Sequence, residues 1–267
     1  MTMAMARTLV GSAAAAAGDA GTQPSGHGIR STVDVPMSAL LATAAAVVAT
    51  GFTATLVRSH LRRPRPYVAA WSVAMAMYSI ATWALVVGTA GEWTELTFRA
   101  FYLFGAILNV LFLALGSAFL VAGNRVGTVL LVVFAAFGAG AAAVTLGAEF
   151  LAPLPASGVP AGSDVFAAPS EGITSPRLWA LVANTIGTAL LVGIAIYSIV
   201  RFRVSNRRLV RGNLIIVVGT LAPAVGGSLT ALGEGGALAL SLLAGAGLLW
   251  WGFLVASGGR SPAAAET

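Results

Sequence analysis

The sequence predicts an all-α membrane protein, folded as a bundle of seven transmembrane helices. Hydrophobic residues make up 58% of the 267 residues and charged residues only 9%, whereas roughly a quarter of the residues in a soluble domain are charged. Apolar runs of about 18–25 residues, the length that crosses a bilayer, recur along the chain. Together these runs predict one transmembrane domain over residues 37–257. The seven runs are 38–57, 67–88, 96–122, 126–147, 178–200, 212–232 and 237–257.

Residues 1–36 precede the first apolar run and differ from it in composition. They are rich in Ala, Gly, Ser and Thr, and a segment of this kind buries too little apolar surface to fold by itself. We interpret 1–36 as a disordered or processed N-terminal tail. The alternatives are a weak signal peptide and a true start at Met37.

The distribution of charge between the apolar runs predicts the orientation. All 15 cationic residues are Arg, and two clusters of them follow the first and fifth runs. Because cytoplasmic connections carry the excess of Arg in membrane proteins, the N-terminus is predicted outside the cell membrane and the short tail at 258–267 in the cytoplasm. Anionic lipid head groups, or a protein partner, are then expected to contact the clustered arginines. These are Arg58, Arg62, Arg63, Arg65, Arg201, Arg203, Arg207, Arg208 and Arg211.

The longest connection, residues 148–177, contains five prolines among many Ala, Gly and Ser residues. This composition is typical of an extended linker without a packed core. With the orientation above, the linker is predicted to be extracytoplasmic. The alternative is a lid over a ligand site, since long loops are often functional.

Polar and aromatic residues share one face of the third predicted helix. Tyr102, Gly105, Asn109, Phe112 and Gly116 recur at alternating steps of three and four residues, which places them on one stripe. Glycine lets a neighbouring helix approach, and Asn in a membrane span forms interhelical hydrogen bonds. The stripe therefore predicts either a packing seam or the wall of a ligand cavity.

Four further residues are candidates for the same seam or cavity. Arg99 follows Glu95 by four residues, so the two can pair, and Arg99 is predicted to anchor the third helix or to contact a substrate. Tyr78 lies in the second span and Asn184 in the fifth. Pro223, in the sixth span, cannot donate a backbone hydrogen bond and is predicted to bend its helix.

Several functions are disfavoured by what the sequence lacks. No predicted span has Asp, Glu, Lys or His near its centre, although proton relays and ion-coupling sites use such residues. The chain has no Cys and no Lys, so thiolate metal sites and a retinal Schiff base are excluded. We therefore predict no cofactor, no metal site, no catalytic activity and no binding of nucleic acid.

Two stretches resemble seven-helix integral membrane proteins of GC-rich, actinobacterial-type bacteria. They are the run from Trp71 to Trp83 and the segment FRAFYLFGAILN at 98–109. The resemblance covers about two spans and implies a multi-pass membrane fold. It implies no activity, because fold alone does not specify function.

Two functional hypotheses follow from the sequence. The first is a non-enzymatic sensor or accessory subunit, which fits the lack of charge within the membrane and the basic connections. The second is a transporter of a neutral or weakly polar small molecule, acting through the polar residues of the candidate seam. A cavity lined by polar side chains favours transport, and a close-packed interior favours the sensor or accessory subunit.

Overall fold

A computed structural model of the protein describes residues 37–155, 158–202, 207–231 and 236–257. Within these ranges the chain forms helices and connections, with no β-strand. Seven helices are long and apolar enough to cross a membrane, which confirms the predicted all-α fold with seven helices of membrane-spanning length. They are α1 (Met37–Arg62), α2 (Pro66–Ala90), α3 (Glu95–Val121), α4 (Asn124–Gly147), α5 (Pro176–Phe202), α6 (Arg207–Ala231) and α7 (Ala237–Ser257). The predicted tails at 1–36 and 258–267, and Arg203, lie outside the described residues.

Local sequence signals explain where three helices begin. Pro66 occupies the first turn of α2, where its missing N–H costs no hydrogen bond. Thr94 and Thr97 form a reciprocal capping box at the start of α3, which satisfies two free backbone donors. Gly123 precedes α4 with a φ of 88°, a conformation that glycine adopts without steric cost.

Small residues allow the central helices to pack closely. Helix α2 packs against α1 and α3, and α7 packs against α1 and α6. Between α2 and α3, the Trp71 ring lies directly over Gly116, and Trp71 Nε1 donates a hydrogen bond to the Leu113 carbonyl at 3.2 Å. Between α6 and α7, a Cβ added to Gly252 would lie 3.0 Å from the Gly212 carbonyl oxygen. Such contacts are typical of membrane helices, which associate through backbone approach.

The connections define two ends of the bundle. The basic end carries the described arginines of the α1–α2 and α5–α6 connections. The loop end carries residues 91–94 and the long α4–α5 connection. Arg58, Arg62, Arg63 and Arg65 are exposed at the basic end. So are Arg207, Arg208 and Arg211, and Arg208 Nε donates to the Val255 carbonyl at 2.9 Å.

The α4–α5 connection is folded against the helices, which differs from the extended linker that its composition predicts. Phe166 is fully buried, and its ring lies 5.0 Å from the Tyr102 ring. Trp93 Nε1 donates to the Gly158 carbonyl at 2.8 Å. Burial of this aromatic side chain stabilises the folded connection. That stabilisation offsets the conformational entropy lost when a proline-rich segment becomes ordered. The connection also contains two short helical segments, Gly162–Val165 and Pro169–Thr174.

Candidate functional site

A cavity of about 580 Å³ lies among α2, α3, α5, α6 and α7 near the loop end. Residues 159–163 of the α4–α5 connection form part of its wall. Sites for drug-sized ligands are typically about 300–1,000 Å³ and mostly apolar, with a few polar groups that set orientation. Gly105, Asn184, Ala224, Gly227 and Ser228 line the cavity and are exposed. The cavity is therefore open to the surroundings of the bundle.

One wall of the cavity is a π-helical segment within α3. The segment covers Phe101–Leu108, and it contributes Tyr102, Gly105 and Ala106 to the lining. Asn184 Nδ2 donates to the Ala106 carbonyl at 2.7 Å and to the Ala180 carbonyl at 2.8 Å. Segments of π-helix are rare and are frequently found at functional sites. Asn184 thus ties α5 to the irregular part of α3 at the cavity wall.

Asn109 presents its side-chain amide to the cavity. Its side chain is 5% exposed, and it lines the cavity directly after the π-helical segment. Among the described residues, the Asn109 side chain has no hydrogen-bond partner. Buried polar side chains are nearly always hydrogen-bonded. The amide is therefore available to a molecule in the cavity.

Two tyrosines line the cavity at different depths. Tyr78 lies on α2, and its hydroxyl donates to the Leu242 carbonyl of α7 at 2.7 Å. Tyr102 lies nearer the loop end, and a Cβ added to Gly162 would be 2.5 Å from the Tyr102 ring. The small residue at position 162 lets the connection close over this ring. Tyr78 therefore links α2 to α7, and the Tyr102 ring supports the α4–α5 connection.

Pro223 lines the cavity and interrupts the hydrogen bonding of α6. Without an amide hydrogen, Pro223 leaves the Gly219 carbonyl without its helical partner. That carbonyl oxygen lies 2.9 Å from the position that a Cβ on Gly245 would occupy. The backbones of α6 and α7 thus approach each other beside the cavity, at a point where α6 has one fewer backbone hydrogen bond.

Comparison with protein-family models, curated protein sequences and solved structures gives no match for this chain. Within the described residues, no group of three or more His, Cys, Asp or Glu side chains could hold a metal ion.

Two predicted candidates, Arg99 and Phe112, lie outside the cavity lining. Phe112 is half-buried against the core cluster. Arg99 reaches the C-terminal end of α4, where its guanidinium donates to the carbonyls of Thr145, Leu146 and Ala148. Glu95 lies 3.4 Å from Arg99 Nη2, so the predicted pair is present. Arg99 thus caps α4, because cations interact favourably with free carbonyls at a helix C-terminus.

We expect Arg99→Gln to lower the free energy of unfolding by about 1.5–3 kcal/mol, the usual contribution of hydrogen bonds to a charged group. The α4–α5 connection should become more sensitive to protease, because the Arg99 guanidinium also lies 4.5 Å from the Phe150 ring. Thermal unfolding in detergent and limited proteolysis measure both effects. Arg125→Gln, at an exposed site on the first turn of α4, is the matched control. Equal stability of the two variants would contradict this role.

Sequence reasoning did not identify two parts of the site. Residues 159–163 lie in a segment whose composition resembles a linker, and Arg177 lies at the start of the fifth span, where a cation is ordinary. One signal in the sequence could have identified Arg177 as a candidate: it lies at the end of the bundle whose connections carry acidic residues and not the basic clusters. Positive charge at that end departs from the orientation rule.

Proposed function

We propose that this multi-pass membrane protein binds a small, mainly apolar molecule in the cavity and carries it across the cell membrane. The observation that carries the proposal is the Asn109 amide, which is buried, lines the cavity and has no partner among the described residues. Because Asn109 lines the cavity, a bound molecule that carries a hydrogen-bonding group can pair with its amide, and such a hydrogen bond contributes about 0.5–1.5 kcal/mol.

The cavity supports a carrier more than an accessory subunit. Its volume fits a small ligand, whereas a partner-binding subunit needs no internal space. Membrane carriers commonly bind their substrates near interrupted helices. Here the π-helical segment of α3 and Pro223 of α6 both line the same space.

We infer a non-enzymatic role. The groups that line the cavity are amides, hydroxyls, one guanidinium and apolar side chains. These groups can orient a ligand, but general acid–base or nucleophilic chemistry requires a paired base and nucleophile.

The second candidate function is a sensor or accessory subunit. It is favoured by the exposed arginines of the basic end, which suit anionic lipid head groups or a protein partner. We propose that this end faces the cytoplasm and that the loop end faces outward, as the charge distribution predicts.

Transport by purified protein in liposomes tests the proposed function. The liposomes are incubated with a small-molecule extract of the producing cells, and the enclosed compounds are identified by mass spectrometry. We expect the wild type to accumulate one compound class over empty liposomes. Asn109→Leu should accumulate up to about tenfold less, because the variant loses one hydrogen bond to the bound ligand, worth about 0.5–1.5 kcal/mol.

Asn124→Leu is the matched control for this experiment. It makes the same replacement at an exposed position in the first turn of α4, away from the cavity, and we expect wild-type accumulation. No difference between the wild type and empty liposomes would reject the carrier function. A compound that binds the protein without being enclosed would instead favour the sensor.

A further inference from the structure

Among the described residues that line the cavity, Arg177 is the one with a charged side chain. It is half-buried in the first turn of α5, at the loop end of the space. Arg177 and Tyr102 both line this part of the cavity. The cavity therefore has positive charge at one end.

No carboxylate neutralises this positive charge within the described residues. In the part of the chain that the structure describes, the ion pair joins Arg99 to Glu95, and Arg177 forms neither an ion pair nor a hydrogen bond with any described residue. The nearest acidic residue in sequence to the lining loop segment, Asp164, is exposed and accepts a hydrogen bond from Ser163 at 3.1 Å. The N-terminus of α5 adds positive potential at the same place.

The rest of the cavity is predominantly apolar. Val110 and Leu113 of α3 face the space, together with Leu238, Leu242 and Leu249 of α7. A molecule that fills this volume must place apolar surface against these side chains, because unpaired polar groups there would be desolvated. The polar groups that accompany Arg177 nearby are the Tyr102 hydroxyl and the Ser163 side chain.

We propose that the ligand is an anionic amphiphile, with one negatively charged group at Arg177 and an apolar body extending toward Leu242 and Leu249. This inference rests on the proposed function and names its substrate class. It differs from the neutral or weakly polar substrate of the transporter hypothesis, because Arg177 places a positive charge in the cavity lining. Guanidinium groups bind carboxylates through charge-assisted hydrogen bonds, which are the stronger kind.

Saturation binding of three radiolabelled probes to the purified full-length protein tests the proposal. The probes share one alkyl chain and differ in charge: decanoate is anionic, decanol neutral and decylamine cationic. We expect the wild type to bind decanoate most tightly and decylamine most weakly. Arg177→Gln should weaken decanoate binding at least about tenfold and change decanol binding little. Arg177→Lys should retain most of the preference, and Arg125→Gln should match the wild type.

The outcomes separate the inference from the proposed function. If the wild type binds decanol as tightly as decanoate, or if Arg177→Gln leaves decanoate binding unchanged, the anionic ligand is wrong and the cavity function survives. If the wild type binds none of the probes saturably, the proposed function fails together with the inference. The charge order measured on the wild type tests the inference even if Arg177→Gln does not fold.

Discussion

Replacing Gly227 with phenylalanine is expected to weaken the binding of small molecules strongly while preserving the fold. Gly227 lines the cavity, and no heavy atom lies within 4 Å of the position that its Cβ would occupy. A phenylalanine ring can therefore enter the cavity without displacing the backbone. The ring then occupies space that the ligand needs, and the ligand loses the dispersion contacts that it makes there.

The expected effect of Gly227→Phe is a loss of at least about tenfold in affinity, or about 1.4 kcal/mol. It should apply equally to decanoate and decanol, whereas Arg177→Gln should affect decanoate alone. Val225→Phe is the matched control, because Val225 is 61% exposed on the same helix and is not part of the lining. Probe affinities close to those of the wild type in Gly227→Phe would show that ligands bind elsewhere.

Replacing Gly116 with valine is expected to produce the largest loss of stability. A Cβ at this position would lie 2.0 Å from Cδ1 of Trp71, so the indole ring must move. That movement would also break the hydrogen bond from Trp71 Nε1 to the Leu113 carbonyl. Overpacking a close-packed core costs about 1–3 kcal/mol, and the lost hydrogen bond adds about 1 kcal/mol.

Thermal unfolding in detergent measures this effect, with Gly247→Val as the control. Gly247 lies within α7, and nothing lies within 4 Å of its Cβ position, so the same substitution creates no clash there. We expect Gly247→Val to unfold near the wild type and Gly116→Val to unfold at a markedly lower temperature. Similar unfolding temperatures for the two variants would show that Trp71 does not depend on the space at Gly116.

The number of helices and their places in the chain could be predicted because they depend on local properties. A run of about 20 apolar residues must form a helix in lipid, where every backbone group needs an internal hydrogen bond. The periodicity of α3 also placed Tyr102 and Asn109 on one face, and both line the cavity. These features follow from neighbouring residues alone.

The features that sequence reasoning missed depend on tertiary structure. The π-helical segment Phe101–Leu108 adds residues per turn, which rotates the later part of α3 relative to a regular helix. Phe112 lies outside the cavity lining, and Val110 and Leu113 are part of it. The burial of Phe166 and the position of Arg177 beside the cavity arise from contacts between distant segments, which composition does not encode.

Native mass spectrometry of the wild-type protein, gently extracted from its own membrane, tests the central claim most directly. The claim is that the cavity holds a small molecule. We predict that the wild type retains a small anionic amphiphile and that Gly227→Phe, prepared in the same way, does not. Wild-type protein that carries no small molecule, or only a protein partner, would contradict the claim and favour the accessory subunit.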